Sequence, residues 1–214
     1  VFYVTKLLSG SRVGEVCGLR VSDFDRNARP LARLHIVDQG ADEQTGESID
    51  LKGHSNPREV PVHPILWDLL EYWFARAFPA LFGRKPEPMD FLIPSRKGPT
   101  VMRSANHMYK KQQMDLERLG TAQHSQHDAR RGFISMLAQF GCDPAVIKAI
   151  THEGVATDAA DVFRNYMILD WGRMCDEMFK VFLEPRPLPN AVEAHRKSDA
   201  LAVRVSRCQG AREV

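Results

Sequence analysis

Downstream of Pro64, the apolar residues Ile65, Leu66, Leu69, Leu70, Trp73, Phe74 and Ala77 fall at helical spacing. Such a stripe is buried by an amphipathic helix lying on a core, with Pro64 at the first helical position. The same period returns along most of the chain. Val13, Val16, Cys17 and Arg20 carry it near the N-terminus, where residues 1–20 read as two helices broken at Ser9-Gly10. Phe133, Ile134, Leu137 and Phe140 carry it in a helix expected from Gln126 to Phe140, with Gly141 at its C′ position. Asp143-Pro144 caps and starts the next helix, through Ile150. Ser104 to Leu119 reads as a helix with a polar face, and further helices are expected over Ala159 to Met167 and from Trp171 to Phe182.

Only a short stretch has a different period. Leu34 to Val37 reads as a strand, and Val60-Pro61-Val62 as an extended piece whose proline places it at a sheet edge. Gly40 to Asn56 reads as a hairpin or loop, with alternating Ser48 to Leu51 as a candidate middle strand. Val21 to Arg29 is expected to be a polar turn and Pro79 to Pro88 a loop. Phe91 to Pro94 is an apolar piece ahead of the basic turn Ser95-Arg96-Lys97-Gly98-Pro99. The fold class is therefore mainly α with a small antiparallel β-sheet.

The length of 214 residues suits one domain with a tail, and a hydrophobic fraction of 43% supplies a core. A net charge of +2 is too small to argue for nucleic acid by itself. Local charge says more: residues 96 to 131 hold eight Arg/Lys against three Asp/Glu, a local +5. Arg96, Lys97, Arg103, Lys110, Lys111 and Arg131 are the candidates in it for contacts to a phosphate backbone, against the plainer reading of a solvated face. The four cysteines form no C-x-x-C pair, so neither a zinc site nor a disulfide framework is expected, and reduced thiols in a cytosolic protein are the preferred reading. No apolar run approaches 18 residues, so no membrane span is expected. The chain starts without Met, in the middle of what reads as a helix, and is taken as a fragment of a longer protein.

Four local patterns occur in a fixed order. Arg12 lies in Ser9-Gly10-Ser11-Arg12-Val13-Gly14-Glu15, with Leu19 four residues on. His127-Asp128-Ala129-Arg130 forms an H-x-x-R box, His152 follows Arg130 by 22 residues, and Tyr166 is the only one of four tyrosines that follows His152. Together they resemble the catalytic domain of the tyrosine recombinase (phage integrase) family, whose own arginine box reads T-G-x-R-x-G-E-x-x-x-L. The resemblance covers about residues 5 to 183. It implies a catalytic domain over 1–183, lacking the family's N-terminal DNA-clamping domain, and a tail over 184–214 that is mobile or docks on a neighbouring subunit. Two departures stand out. Arg131 occupies the place of the family's usual histidine after the box arginine, and the 14 residues from His152 to Tyr166 exceed the family's usual gap.

The resemblance implies strand transfer on double-stranded DNA, by a tetramer acting on two sites in the prokaryotic cytoplasm. The Tyr166 hydroxyl attacks phosphorus, a 3′-phosphotyrosine forms and a 5′-hydroxyl leaves, with no metal and no cofactor. Arg12 and Arg130 would clamp the phosphate oxygens, because a guanidinium stays charged and offers a planar fork. His127 and His152 would help to activate Tyr166. Lys52, placed before the R-x-V-P-like Arg58-Glu59-Val60-Pro61, would protonate the leaving oxygen. Glu15 is expected to hold Arg12 or an adjacent arginine. Two other readings remain open: a decayed, non-catalytic integrase-like DNA-binding protein, and a helix-turn-helix regulator built around Gly141-Cys142-Asp143-Pro144.

Overall fold

The structure, a computed structural model, describes residues 1–37, 57–152 and 170–184. The expected break at Ser9-Gly10 separates helix α1 (Phe2–Ser9) from α2 (Val13–Gly18). Gly10 ends α1 in the left-handed region, at φ 61°. A side chain there would meet more than backbone strain, since a Cβ would lie 2.4 Å from Cδ1 of Phe133. The glycine thus lets the end of α1 close directly onto α6 (Asp128–Gln139).

Three short antiparallel strands follow: β1 (Phe24–Asp25), β2 (Arg33–Ile36) and β3 (Arg58–Pro61), in spatial order β1-β2-β3. Strand β2 alternates cleanly, with Leu34 and Ile36 fully buried and Arg33 and His35 on the half-exposed face. Val60 pairs with Leu34 and Arg58 with Ile36. Arg58 therefore joins the apolar residues on the buried face and is only 4% exposed. Pro61 ends the outer strand among those described, as its missing N–H requires. The expected polar turn over Val21 to Arg29 is a 3₁₀ turn followed by β1, a strand of two residues and too short for alternation to reveal. The candidate middle strand Ser48 to Leu51 lies outside the described residues.

Helix α3 (Pro64–Tyr72) begins at Pro64, and Nδ1 of His63 accepts the Ile65 N–H at 3.2 Å. The helical run then continues past the expected stop. A π turn over Trp73–Ala77 leads into α4 (Phe78–Phe82), with Pro79 in its first turn. The Phe78 N–H donates five residues back, to Trp73 O, so the ladder has already left the α register where Pro79 lacks its donor. Leu92 is buried beneath this run, its N–H bonded to Leu19 O at 2.7 Å and its carbonyl to Trp73 Nε1 at 2.9 Å.

Helices α5 (Ala105–Arg118), α6, α7 (Pro144–His152) and α8 (Trp171–Phe179) complete the described elements. The chain forms two compact units: Val1–Tyr109 with Ser125–Phe182, and a second that takes in Lys110–His124. Helix α6 starts at Asp128 rather than Gln126, because the Asp128 carboxylate accepts from the backbone N–H and hydroxyl of Ser125, both at 2.7 Å, and holds the preceding turn in place. Phe133 and Leu137 are buried as expected, but Phe140 is the C-cap, leaves the helical path and is exposed. Helix α8 ends at Phe179, short of Phe182, which is 70% exposed. The helix expected over Ala159 to Met167 lies outside the described residues. No helix among them is long and apolar enough to cross a membrane.

Candidate active site

Arg12 is the N-cap of α2 and Glu15 its third residue. The Glu15 carboxylate reaches back to accept the Arg12 backbone N–H at 2.7 Å and its Nη1 at 3.1 Å. The same carboxylate, fully buried, accepts Nη2 of Arg58 at 2.6 Å and Nη1 at 3.3 Å. Arg58 has a third bond, from Nε to Ile150 O at 2.9 Å, in the last turn of α7. A cation there meets the negative end of the helix. One buried arginine on a strand thus ties together α2, β3 and the end of α7, two residues before His152. Burial pushes the Glu15 carboxyl up, but the hydrogen bonds and charge of Arg58, with those of Arg12, outweigh it and hold its pKa below the usual carboxylate value.

Arg130 enters the same group of charges from α6. It is 5% exposed, and its Nη1 donates to Gly10 O at 2.9 Å, at the turn between α1 and α2. Its other terminal nitrogen, Nη2, is buried with no hydrogen-bond partner. Buried donors are almost always satisfied, and leaving one unpaired on a charged group is costly. Burial and the charge of Arg58 pull the Arg130 pKa down to about 10; Glu15 opposes them and Arg12 adds to them. Arg130 therefore stays charged at neutral pH. Three guanidiniums meet here around a single described carboxylate, an excess of positive charge that an anion would complete.

His127 stands at the N-terminal boundary of α6, exposed, and its side chain makes no capping bond. Asp128, beside it, draws up the pKa of Lys6, a lysine of α1 that is 1% exposed and whose pKa burial lowers overall. Arg12, Arg58 and Arg130 come together with Glu15. Lys52 and Tyr166 lie outside the described residues, and of His152 only the backbone, at the end of α7, is described. No group of His, Cys, Asp and Glu among the described residues is arranged to hold a metal ion. Cys17, Cys142 and Cys175 are buried free thiols.

The model of the phage integrase family matches residues 4–157, which span this whole arrangement of α2, β3, α6 and α7. The chain belongs to the phage integrase family. No curated protein matched the sequence. Among solved structures it is similar to the Tn1549 transposon integrase in complex with transposon right-end DNA, at 17% identity and a TM-score of 0.53, covering 92% of this chain and 57% of that one. It is also similar to the integrase of mycobacterium phage Brujita, at 13% identity and 0.54, covering 90% and 54%. The XerA recombinase matches at 18% identity and 0.53, covering 86% and 58%. At these identities the likeness is one of fold, and the chain spans between 54% and 58% of the length of those three. Its fold is that of the tyrosine recombinase catalytic domain.

Within this integrase fold the basic residues read from the sequence have different surroundings. Arg96 and Lys97 are exposed at the Ser95–Gly98 turn, and Lys110 and Lys111 are exposed on α5. Arg131 is open to solvent, with Asp128 at 3.7 Å. Arg103 differs from the expected DNA-facing residue. It is half-buried, donates from Nε to Pro94 O at 2.7 Å and braces the basic turn from within. Arg20, left between backbone contact and structure, donates to Met89 O at 2.8 Å and stacks on Phe91, a structural use.

Glu15→Gln should cost about 3–5 kcal/mol at neutral pH, because it leaves Arg58 and Arg130 buried without their counter-charge. The wild-type carboxyl has a depressed pKa in the folded protein. Its stabilisation is present above the unfolded carboxyl's pKa and is lost as pH falls through the lower, folded value. Urea melts of wild type and variant should therefore differ widely at neutral pH and converge well below the carboxylate range. An equal difference at both pH values would show that the charge is not what holds the site.

Proposed function

We propose that this chain is the catalytic core of a site-specific DNA recombinase that cuts and rejoins strands through a phosphotyrosine. The observation that carries the reading is the buried, unpartnered Nη2 of Arg130, set among Arg12, Arg58 and Glu15. A non-bridging oxygen of a DNA phosphodiester supplies the missing acceptor, and its charge offsets the local excess of guanidinium. As the attacked phosphorus gathers charge, Arg12 and Arg130 hold its two non-bridging oxygens while Arg58 and Glu15 hold the clamp in place.

Tyr166 is the nucleophile in this account. Its hydroxyl proton passes to a histidine, His127 or His152, and the tyrosyl oxygen bonds to phosphorus. The bond to the 5′ oxygen breaks, and Lys52 protonates that oxygen as it leaves. The bond energy is kept in the 3′-phosphotyrosine, so rejoining is the same reaction run with a new 5′-hydroxyl. Arg96, Lys97, Lys110, Lys111 and Arg131 supply contacts to the duplex backbone, which position DNA without reading its sequence. The assembly is a homotetramer on two DNA sites in the prokaryotic cytoplasm. Residues 1–183 act as the catalytic domain and residues 184–214 as a tail for the neighbouring subunit.

The test is to trap the covalent intermediate. On a library of nicked duplexes, cleavage next to the nick releases a short strand that diffuses away and prevents rejoining. Because guanidiniums supply the positive charge at the phosphate, the adduct should form in excess EDTA. Loss of the adduct in EDTA and its return with a divalent ion, with folding unchanged, would contradict the mechanism.

A further inference from the structure

We infer that the stacking of Arg33 on Trp171 is the anchor that positions Tyr166 for attack, an inference that rests on the function proposed above. Arg33 lies on the outer face of β2. Its guanidinium carbon sits 4.1 Å from the centroid of the Trp171 ring, and Nη1 donates to Oε1 of Glu59, on β3, at 2.8 Å. Trp171 is the first residue of α8. The same turn is held from two other directions. Asp170 Oδ1 accepts the Arg173 N–H at 2.8 Å, and the Arg173 guanidinium pairs with Asp143, just before α7. The sheet and α7 thus converge on the point where the chain emerges after Tyr166.

Chain length makes this end decisive. Five residues separate Tyr166 from Trp171, whereas 14 separate it from His152. At no more than ~3.6 Å per residue, the downstream tether confines Tyr166 to about 18 Å of Trp171, while the upstream one allows about 50 Å from His152. A long upstream gap therefore leaves the downstream anchor to set how often the hydroxyl meets the phosphate. The rest of α8 is docked independently through buried Met174, Cys175 and Met178, so releasing its first turn leaves the helix in place. Arg33 Nε and Trp171 Nε1 are both buried without an acceptor, so the ring face and the Glu59 bridge, not the indole N–H, hold the pair.

The experiment is single-turnover cleavage of a nicked duplex over a range of DNA concentrations, with melting measured in parallel. Trp171→Ala and Arg33→Met should each lower the saturating rate on the order of tenfold to a hundredfold. The half-saturating DNA concentration should stay within about twofold, because the arginine clamp and the backbone contacts are untouched. Trp171→Phe keeps the ring under the guanidinium and should restore most of the rate. Wild-type saturating rates in a folded Trp171→Ala or in Arg33→Met would overturn the inference, as would a Phe variant as slow as the Ala variant. If Trp171→Ala does not fold, Arg33→Met and Trp171→Phe decide by the same criteria. Failure of the wild type to form any Tyr166-dependent adduct would remove the proposed function and this inference with it. A normal wild-type adduct beside an unaffected Arg33→Met would remove the anchor alone.

Discussion

Arg130→Lys is expected to slow single-turnover DNA cleavage by orders of magnitude while leaving DNA affinity almost unchanged. The arginine is committed on one side and open on the other. Nη1 is held by Gly10 O at 2.9 Å, which fixes the plane of the guanidinium and aims the unpartnered Nη2. A lysine keeps the charge but has a single nitrogen on a flexible stem, so it cannot bond Gly10 and a phosphate oxygen in the same geometry. Loss of one preorganised donor at a developing oxyanion costs roughly 2.7–4 kcal/mol, or about 10²–10³ in rate. Affinity is spread over many backbone contacts and depends little on this one. Arg12→Lys should behave similarly, because Glu15 holds that guanidinium by Nη1 and a lysine again loses the fork. The check is rate at saturating DNA beside salt-titrated binding. If rate and affinity fall in parallel for both variants, these arginines serve general DNA binding and the clamp is elsewhere.

How far the sequence reveals this architecture depends on the range of the interactions involved. The stripe after Pro64, the break at Gly10 and the Asp143-Pro144 start are local signals, and the structure has α3, α1–α2 and α7 where they point. Strand β1 was hidden because two residues have no period, and the helix ran through Pro79 because a π turn had already shifted its ladder. Phe140 fits the stripe by spacing but lies where the backbone turns out of the helix.

The site divides in the same way. Arg12 and Glu15 were legible because they form one turn of one helix. Arg58 was noticed only as part of an R-x-V-P strand, although Arg58, Val60 and Val62 are spaced by two and so share a face. The period places a guanidinium among core residues, but nothing in the sequence shows that its partners are Glu15 and Ile150. The role of Gly10 was equally out of reach, since it depends on Phe133 and Arg130, more than 120 positions away. Arg103, by charge alone, looks like its exposed neighbours, and only the bond to Pro94 O separates it from them.

The central claim is that a tyrosine in this chain becomes covalently joined to DNA. Tyr166→Phe removes one hydroxyl and leaves the described arginine clamp as it is, so DNA binding should remain close to wild type. The covalent product should disappear altogether, because no diffusible group is asked to replace the nucleophile. The most direct measurement is recovery of the protein–DNA adduct from a nicked duplex, with the attached residue identified by mass spectrometry of the digested complex. The account predicts a 3′-phosphate ester on Tyr166 in the wild type and no adduct in Tyr166→Phe. An adduct that persists in the Phe variant, or one that maps to Tyr3, Tyr72 or Tyr109, would contradict it.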